Sequence, residues 1–363
     1  MTTNIHFHPN GNFSSKFISP LIEAEKSIGL KSLLVNSSNP ASDSYSLIRY
    51  DLMAKNLILL PLSFFKILRL ISKKKPNSII SHNTRSSLLP LLSARVANIN
   101  NIIYINHGVP HIGHSGLTAK ALKIIESINC LLATKIITVS PDMAEELRKL
   151  TSKKITLINH GSACGIDLQD CSKKNHTNIS FRKSLNIDSK DIVFVYIGRP
   201  ERRKGYNFLI NLWVNHFFNK MNYRLLLCGS NYNELKENLN EVPSNIIPLG
   251  FVQNIPEVLS NSDCLILPSL HEGLSYAILE AMACECMVIS NAIPGVRNLI
   301  KNQLNGWLLN TNDENEYVKK IKSIQRDGVN KELTRAALKV VKKYDIKEFM
   351  EAYIDFINNL GSK

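Results

Sequence analysis

Between Leu267 and Leu299 the sequence reads LPSLHEGLSYAILEAMACECMVISNAIPGVRNL, and this stretch restricts the fold more than any other. An apolar run ending at Pro268 predicts a strand, Ser269 to Ser275 a Gly-containing turn, and Tyr276 the approximate start of a helix; Met287 to Ser290 predicts a returning strand. Parallel strands joined through a helix belong to a sheet with helical crossovers. A strand feeding a short turn and a helix N-terminus also gathers unpaired N–H groups and the positive end of the helix dipole, which suits a phosphate. Glu272 in the turn and Glu280 on the helix body would repel a bare phosphate, so they fit hydroxyls of the same ligand. The combination points to phosphate plus sugar. On these residues alone a plain buried strand-turn-helix unit, with Glu272 at a helix start and Glu280 solvated, stays open.

The same rhythm runs through the whole chain. In the first half, strands are expected at Asn4 to His8, Leu33 to Asn36, Ser78 to His82, Ile102 to Asn106 and Ala133 to Ser140, with helices between them. Ser140 is placed to cap the next helix and Pro141 to occupy its first position. In the second half, strands are expected at Asp191 to Ile197, Tyr223 to Cys228, Ile246 to Leu249 and Asp263 to Leu267, followed by helices from about Lys331 to Leu360. A polar stretch from Asp170 to Ser180 reads as a linker, and 363 residues suit two domains. Ligands of open parallel sheets bind past the carboxyl ends of the strands. That rule marks two loops, NHGVPHIGHSG from Asn106 and GRPERRKG from Gly198. The histidines His107, His111 and His114 have neither a helix to align them nor a neighbouring carboxylate, so no metal set is expected there.

Charge is uneven: residues 1–175 hold 21 Lys/Arg against 10 Asp/Glu, net +11, whereas residues 176–363 hold 23 against 20, net +3. The first half therefore faces an anionic partner. An aromatic-interleaved basic platform is missing, which places an anionic membrane surface or lipid pyrophosphate ahead of nucleic acid. From Lys55 to Lys75 the chain reads KNLILLPLSFFKILRLISKKK; helical spacing groups Phe64, Leu68 and Ile71 on one face and Lys66, Arg69 and Lys73 on another. Such a helix suits a membrane interface, or packs its apolar side on the sheet as any crossover helix does. No apolar run is long enough to span a bilayer, and the start, MTTNIHFHPNGN, lacks the regions of a signal peptide, so a cytoplasmic location is expected. Seven cysteines without a C-x-x-C pair fit reduced thiols.

The ordered set Pro268, Ser269, Glu272, Gly273, Glu280, Ala281, Met282 and Ala283 resembles the P-S-x-x-E-G-x-x-x-x-x-x-E-A-M-A pattern of the retaining nucleotide-sugar glycosyltransferases of family 4, and the resemblance extends over the C-terminal half. It implies a GT-B type α/β fold of two doubly wound Rossmann-like domains facing a cleft. The implied domains are an acceptor-binding domain at 1–175, a donor-binding domain at 176–345 and a last helix at 346–363 crossing back to the first. Arg199 and Lys204 resemble the family's G-R-x-x-x-x-K-G cations, which stabilise a departing nucleoside diphosphate without a metal or cofactor, while Arg202 and Arg203 read as solvated loop charges. The resemblance further assigns Glu280 to ribose hydroxyls, Glu272 to sugar hydroxyls, and Gly198, Gly273, Leu274 and Ser275 to the donor's sugar and phosphates. Gly250, Phe251 and Val252 form the loop that meets the base, and His107 faces the donor sugar. Gly11 and Gly108 lie on the acceptor side, although the family usually has paired glycines where Gly11 stands alone, and Ser275 stands where many members have glycine. The implied reaction moves a hexose or N-acetylhexosamine from a nucleotide diphosphate sugar, a UDP-sugar by preference, to a lipid-linked glycan at the inner face of the cell membrane. A nucleotide-sugar epimerase of the same fold and a noncatalytic membrane-associated scaffold remain as alternatives.

Overall fold

The computed structural model describes residues 3–9, 14–36, 46–49, 60–220, 222–239 and 241–361. It divides into two compact units, Met1–Gly165 with Ile346–Lys363, and Ile166–Asp345. The division therefore falls before the 175/176 boundary expected from the linker. The reason is local: Ile166 bridges to Asp345, and its N–H donates to the Tyr344 carbonyl at 2.8 Å. The polar stretch after it is not a bare linker either. It carries short helices at Lys173–His176 and Ile179–Ser184, fastened to the second unit by Asn261, whose side chain accepts from Asn178 N at 3.0 Å and donates to the His176 carbonyl at 2.9 Å. Arg182 adds an ion pair to Asp263 at 2.8 Å.

In the first unit, β1 (Thr3–Phe7), β2 (Lys31–Asn36), β3 (Ser46–Arg49), β4 (Ser78–His82), β5 (Asn101–Asn106), β6 (Lys135–Thr138) and β7 (Ile155–Thr156) form one parallel sheet in the order β3-β2-β1-β4-β5-β6-β7. The central strands are buried, as a sheet covered on both faces requires, and so read as apolar runs. Helix Pro141–Arg148 starts as its sequence directs, with Ser140 Oγ accepting from Met143 N at 3.3 Å. Helix Leu60–Lys74 departs in detail from expectation. It buries Ser63, Ile67, Leu70 and Ile71, leaves Phe64 and Leu68 at the rim, and turns Leu62 and Phe65 outward on the side of Lys66 and Arg69. The part of the basic segment before Leu60 lies outside the described residues.

In the second unit, β8 (Ile192–Ile197), β9 (Tyr223–Cys228), β10 (Ile246–Gly250), β11 (Cys264–Leu267), β12 (Met287–Asn291) and β13 (Trp307–Leu309) form a parallel sheet in the order β10-β9-β8-β11-β12-β13. Its core is aromatic: Trp213 packs against Phe194 and Phe217, and Phe217 against Tyr223. The order of each sheet reverses once, between β1 and β4 in the first unit and between β8 and β11 in the second. Those reversal points open a crevice above the strand ends, the place where such sheets hold ligands. All seven cysteines are buried free thiols, and no described helix is long and apolar enough to cross a membrane.

Candidate active site

At the reversal point of the second unit, two loops meet. The first leaves β8 at Gly198, makes a tight turn at Arg202–Lys204 and enters helix Tyr206–Phe217; the second leaves β11 at Pro268 and enters helix Tyr276–Ala283. Gly205 makes their approach possible. Its φ of +71° is left-handed, and a Cβ there would lie 2.0 Å from the Pro268 carbonyl oxygen. Leu270 N donates to the Arg203 carbonyl at 2.8 Å, and Arg203 Nη1 donates to the His271 carbonyl at 3.3 Å. Arg203 thus stitches the loops together, where its sequence context had given it to solvent.

The contact brings Lys204 Nζ to 2.7 Å from Glu272 Oε1, with the carboxylate buried and the ammonium partly exposed. A cation and a carboxylate therefore stand side by side at the mouth of the two loops. Gly295 lies against the main chain of this loop, where a Cβ would come within 2.4 Å of the Glu272 carbonyl oxygen. Asn291, at the end of β12, donates to the Ser269 carbonyl at 2.9 Å and is itself held by Tyr317 at 2.9 Å. Gly273, Leu274 and Ser275 follow directly into the helix, and Leu274 and Ser275 are buried. Glu280 is buried on the same helix; burial and then the charge of Glu280 push the nearby Cys228 thiol up to about 12.

Arg199 is not gathered into this pair. Its side chain is 73% exposed and bonds Glu201 at 2.9 Å, while its carbonyl accepts from Tyr196 Oη at 2.9 Å. The loop after β10 is tied in by backbone: Gly229 N donates to the Gly250 carbonyl at 2.7 Å, and Gly250 N to the Ser230 carbonyl at 2.8 Å. Beyond it Phe251 is 88% exposed and Val252 half-buried, so this loop presents main chain and one uncovered ring.

In the first unit, His107 follows β5 and Gly108 follows it. Asn106 fixes Gly108, its Oδ1 accepting from Gly108 N and its Nδ2 donating to the Gly108 carbonyl, each at 3.0 Å. Asn106 also donates to Glu126 at 2.9 Å, and Tyr104 Oη donates to the same carboxyl oxygen at 2.7 Å. Burial raises the Glu126 carboxyl above its usual range, against the opposing hydrogen bonds from Thr84, Tyr104 and Asn106. His107 Nε2 lies 3.0 Å from His82 Nδ1, so the ring turns back toward β4. Burial, followed by the charge of His8, pushes the His107 imidazole down to about 3, which keeps it neutral. His114 instead donates to the Pro110 carbonyl at 2.8 Å within the turn Pro110–Gly113. Gly11 lies outside the described residues.

His6, His82 and Glu25 escaped the sequence reading. The signal was present: NIHFH, SIISH and IYINH are three strand segments that each end on histidine. Only strand order shows that β1, β4 and β5 are adjacent.

The glycosyl transferases group 1 model matches residues 178–344, and the Glycosyltransferase Family 4 model matches residues 37–165. A UDP-Gal:alpha-D-GlcNAc-diphosphoundecaprenol alpha-1,3-galactosyltransferase from Escherichia coli is 24% identical over 318 residues, covering 82% of this chain and 80% of that protein. Among solved structures, sucrose-phosphate synthase from Thermosynechococcus elongatus superposes with a TM-score of 0.83 at 17% identity, and Anabaena Alr3699/HepE in complex with UDP with a TM-score of 0.79 at 16%, each over 100% of both chains. Two parallel α/β units matched in this way are the GT-B fold. The two family models between them account for most of the chain, which belongs to the group 1 and Family 4 glycosyltransferases and is a glycosyltransferase of GT-B fold.

Proposed function

We propose that the chain transfers a hexose or N-acetylhexosamine from a UDP-sugar to a glycan acceptor carried on a lipid diphosphate, with retention of configuration and without a metal, in bacterial surface polysaccharide synthesis. The observation that carries this reading is the Lys204–Glu272 pair at the reversal point of the second sheet. Lys204 would meet the diphosphate and Glu272 the sugar hydroxyls, with Glu280 on the ribose and the Gly250–Val252 loop at the base. As the glycosidic bond breaks, charge grows on the diphosphate, and Lys204 and Arg199 stabilise it. A front-face path follows, in which a leaving diphosphate oxygen takes the acceptor's proton. The Escherichia coli relative is named for a UDP-sugar donor and a diphosphoundecaprenol acceptor, which supports the donor and acceptor classes. The test is a thermal-shift screen against UDP, GDP, ADP and their sugar conjugates, then transfer of labelled sugar to a lipid diphosphate glycan in EDTA. A nucleotide at a hundred times its Kd adds about 2.7 kcal/mol of stability. UDP should stand out; a shift with GDP or ADP alone would overturn the donor assignment, and turnover lost in EDTA would overturn the metal-free path.

We further propose that the first unit docks on anionic membrane. Helices Leu60–Lys74, Thr84–Val96 and Gly116–Leu132 neighbour one another in sequence order. Phe65 on the first is 63% exposed beside Lys66 and Arg69. On the third, Leu117, Ile124, Ile128 and Leu131 recur at helical spacing and are uncovered, Leu117 at 83% exposure. Apolar side chains among Lys and Arg suit lipid headgroups. Each near-surface basic residue contributes about 1 kcal/mol. Reversing Lys66, Arg69 and Lys73 to Glu should therefore weaken flotation with vesicles containing anionic lipid by about a hundredfold or more. Unchanged flotation would sink the docking reading.

A further inference from the structure

Four buried or half-buried side chains in the first unit form an unbroken line from helix Ser19–Ser27 to the loop after β5. Glu25 is fully buried and accepts hydrogen bonds from Tyr353 Oη at 2.7 Å and from Ser32 Oγ. His6 Nε2 lies 3.2 Å from both carboxylate oxygens. On its other side His6 Nδ1 is 3.2 Å from His82 Nε2, and His82 Nδ1 is 3.0 Å from His107 Nε2. Successive rings are nearly parallel, with interplanar angles of 20° and 17°. His8 meets His82 edge-on and contacts Asn83 through Nε2 at 2.6 Å.

Hydrogen counting leaves this line few options. Each imidazole–imidazole bond holds one hydrogen, and an ionised carboxylate only accepts. With all three rings neutral, Glu25 requires the hydrogen of His6 on Nε2, His6 then accepts from His82 Nε2, and His82 accepts from His107 Nε2. His107 Nδ1 is left as an acceptor. One added proton on His6 makes that ring a donor at both nitrogens. His82 must then carry its hydrogen on Nδ1, and so must His107, whose Nδ1 becomes a donor. The two arrangements differ by a single proton at the far end, and His107 is neutral in both.

We propose that the Glu25–His6 pair sets, through His82, whether His107 Nδ1 accepts or donates a hydrogen bond toward a bound hydroxyl. Glu25, His6 and His82 are positioning residues, and proton uptake at one end is read as reversed polarity at the other. A proton from solvent taken up at His107 Nδ1 reaches His6 by two transfers along existing hydrogen bonds, from His107 Nε2 to His82 Nδ1 and from His82 Nε2 to His6 Nδ1, while the hydrogen between His6 and Glu25 stays on His6 Nε2. The environment favours this division of labour. Burial and the charges of His107, His6 and His8 hold His82 well below the usual imidazole range. Burial opposes ionisation of Glu25, but His6 and the hydrogen bonds from His6, Ser32 and Tyr353 outweigh it and lower its carboxyl. The charge is thereby kept at the Glu25–His6 end.

The catalytic consequence rests on the reading of His107 as the residue facing the donor sugar; the tautomer does not. The experiment is long-range 15N–1H correlation of the full chain labelled in its histidines, titrated between about pH 5 and 9, alongside turnover. Expected is a His107 ring that stays neutral while its hydrogen moves from Nδ1 to Nε2 as pH rises. In Glu25→Gln the exchange should shift to lower pH, although Glu25 stands two rings away from His107. In His82→Gln it should disappear. A His107 tautomer unaltered by pH, or one whose exchange Glu25→Gln leaves in place, would overturn the relay. Should His82→Gln not fold, wild type and Glu25→Gln decide alone. A relay confirmed by spectra, with donor KM and kcat unchanged in Glu25→Gln, would count against the sugar-facing role of His107 and leave the relay standing.

Discussion

Lys204→Ala is expected to lower turnover by about a hundredfold or more, the usual consequence of removing one preorganised contact to developing negative charge. Two causes contribute, and they separate experimentally. The first is the missing cation at the leaving diphosphate. The second is Glu272, whose side chain is 7% exposed and would lose the ammonium 2.7 Å away. Breaking a buried ion pair from one side costs about 3–5 kcal/mol, and less here because the lysine reaches solvent. Adding Glu272→Gln to Lys204→Ala removes the stranded charge, so melting temperature should recover while turnover does not. Near-normal turnover of Lys204→Ala would remove Lys204 from the mechanism. Recovery of turnover in the double variant would show that its part is only to neutralise Glu272.

Gly205→Ala should be nearly as damaging, although no side chain at that position would touch a ligand. A left-handed φ of +71° costs an L-residue about 1–2 kcal/mol in itself. The added Cβ would also lie 2.0 Å from the Pro268 carbonyl oxygen and 2.6 Å from its carbon. Both partners are backbone, so no rotamer relieves the overlap, and the two loops must part. Lys204 and Glu272 part with them. The control is Gly29→Ala, at the left-handed end of helix Ser19–Ser27 with φ of +80° and nothing within 4 Å of its Cβ, which should show the backbone cost alone. Equal melting temperatures for the two variants would mean that the loop contact at Gly205 is not rigid. A much larger loss for Gly205→Ala, together with lost turnover, is the expected result.

The sheet was legible because a buried parallel strand reads as an apolar run: IVFVYI is apolar throughout, YRLLLC is so but for Arg224, and MVISN over its first three residues. The pairing of Glu272 with Lys204 was legible only as two separate motifs; the glycine that lets them meet announces itself through a φ that no spacing rule supplies. Arg199 shows the converse. Its position at a strand end is the expected one, yet a neighbouring Glu201 engages its guanidinium. In the helix Leu60–Lys74 the apolar residues were numerous enough to fit more than one face, and folding buried Ile67, Leu70 and Ile71. The histidine line was hidden for a topological reason: β1, β4 and β5 are far apart in sequence and become neighbours only through crossovers.

The bond from Tyr353 to Glu25 joins residues near opposite ends of the chain. The second unit is one uninterrupted segment, but the first is split, with its closing helix Ile346–Asn358 made after the second unit. A chain emerging from the ribosome can therefore complete its second unit while the first still lacks the hydroxyl that its interior carboxylate requires. Synthesis of this helix becomes the step that finishes the first unit, and a chain that lacks Tyr353 carries its defect beside β1 and β2, far in sequence from the lesion.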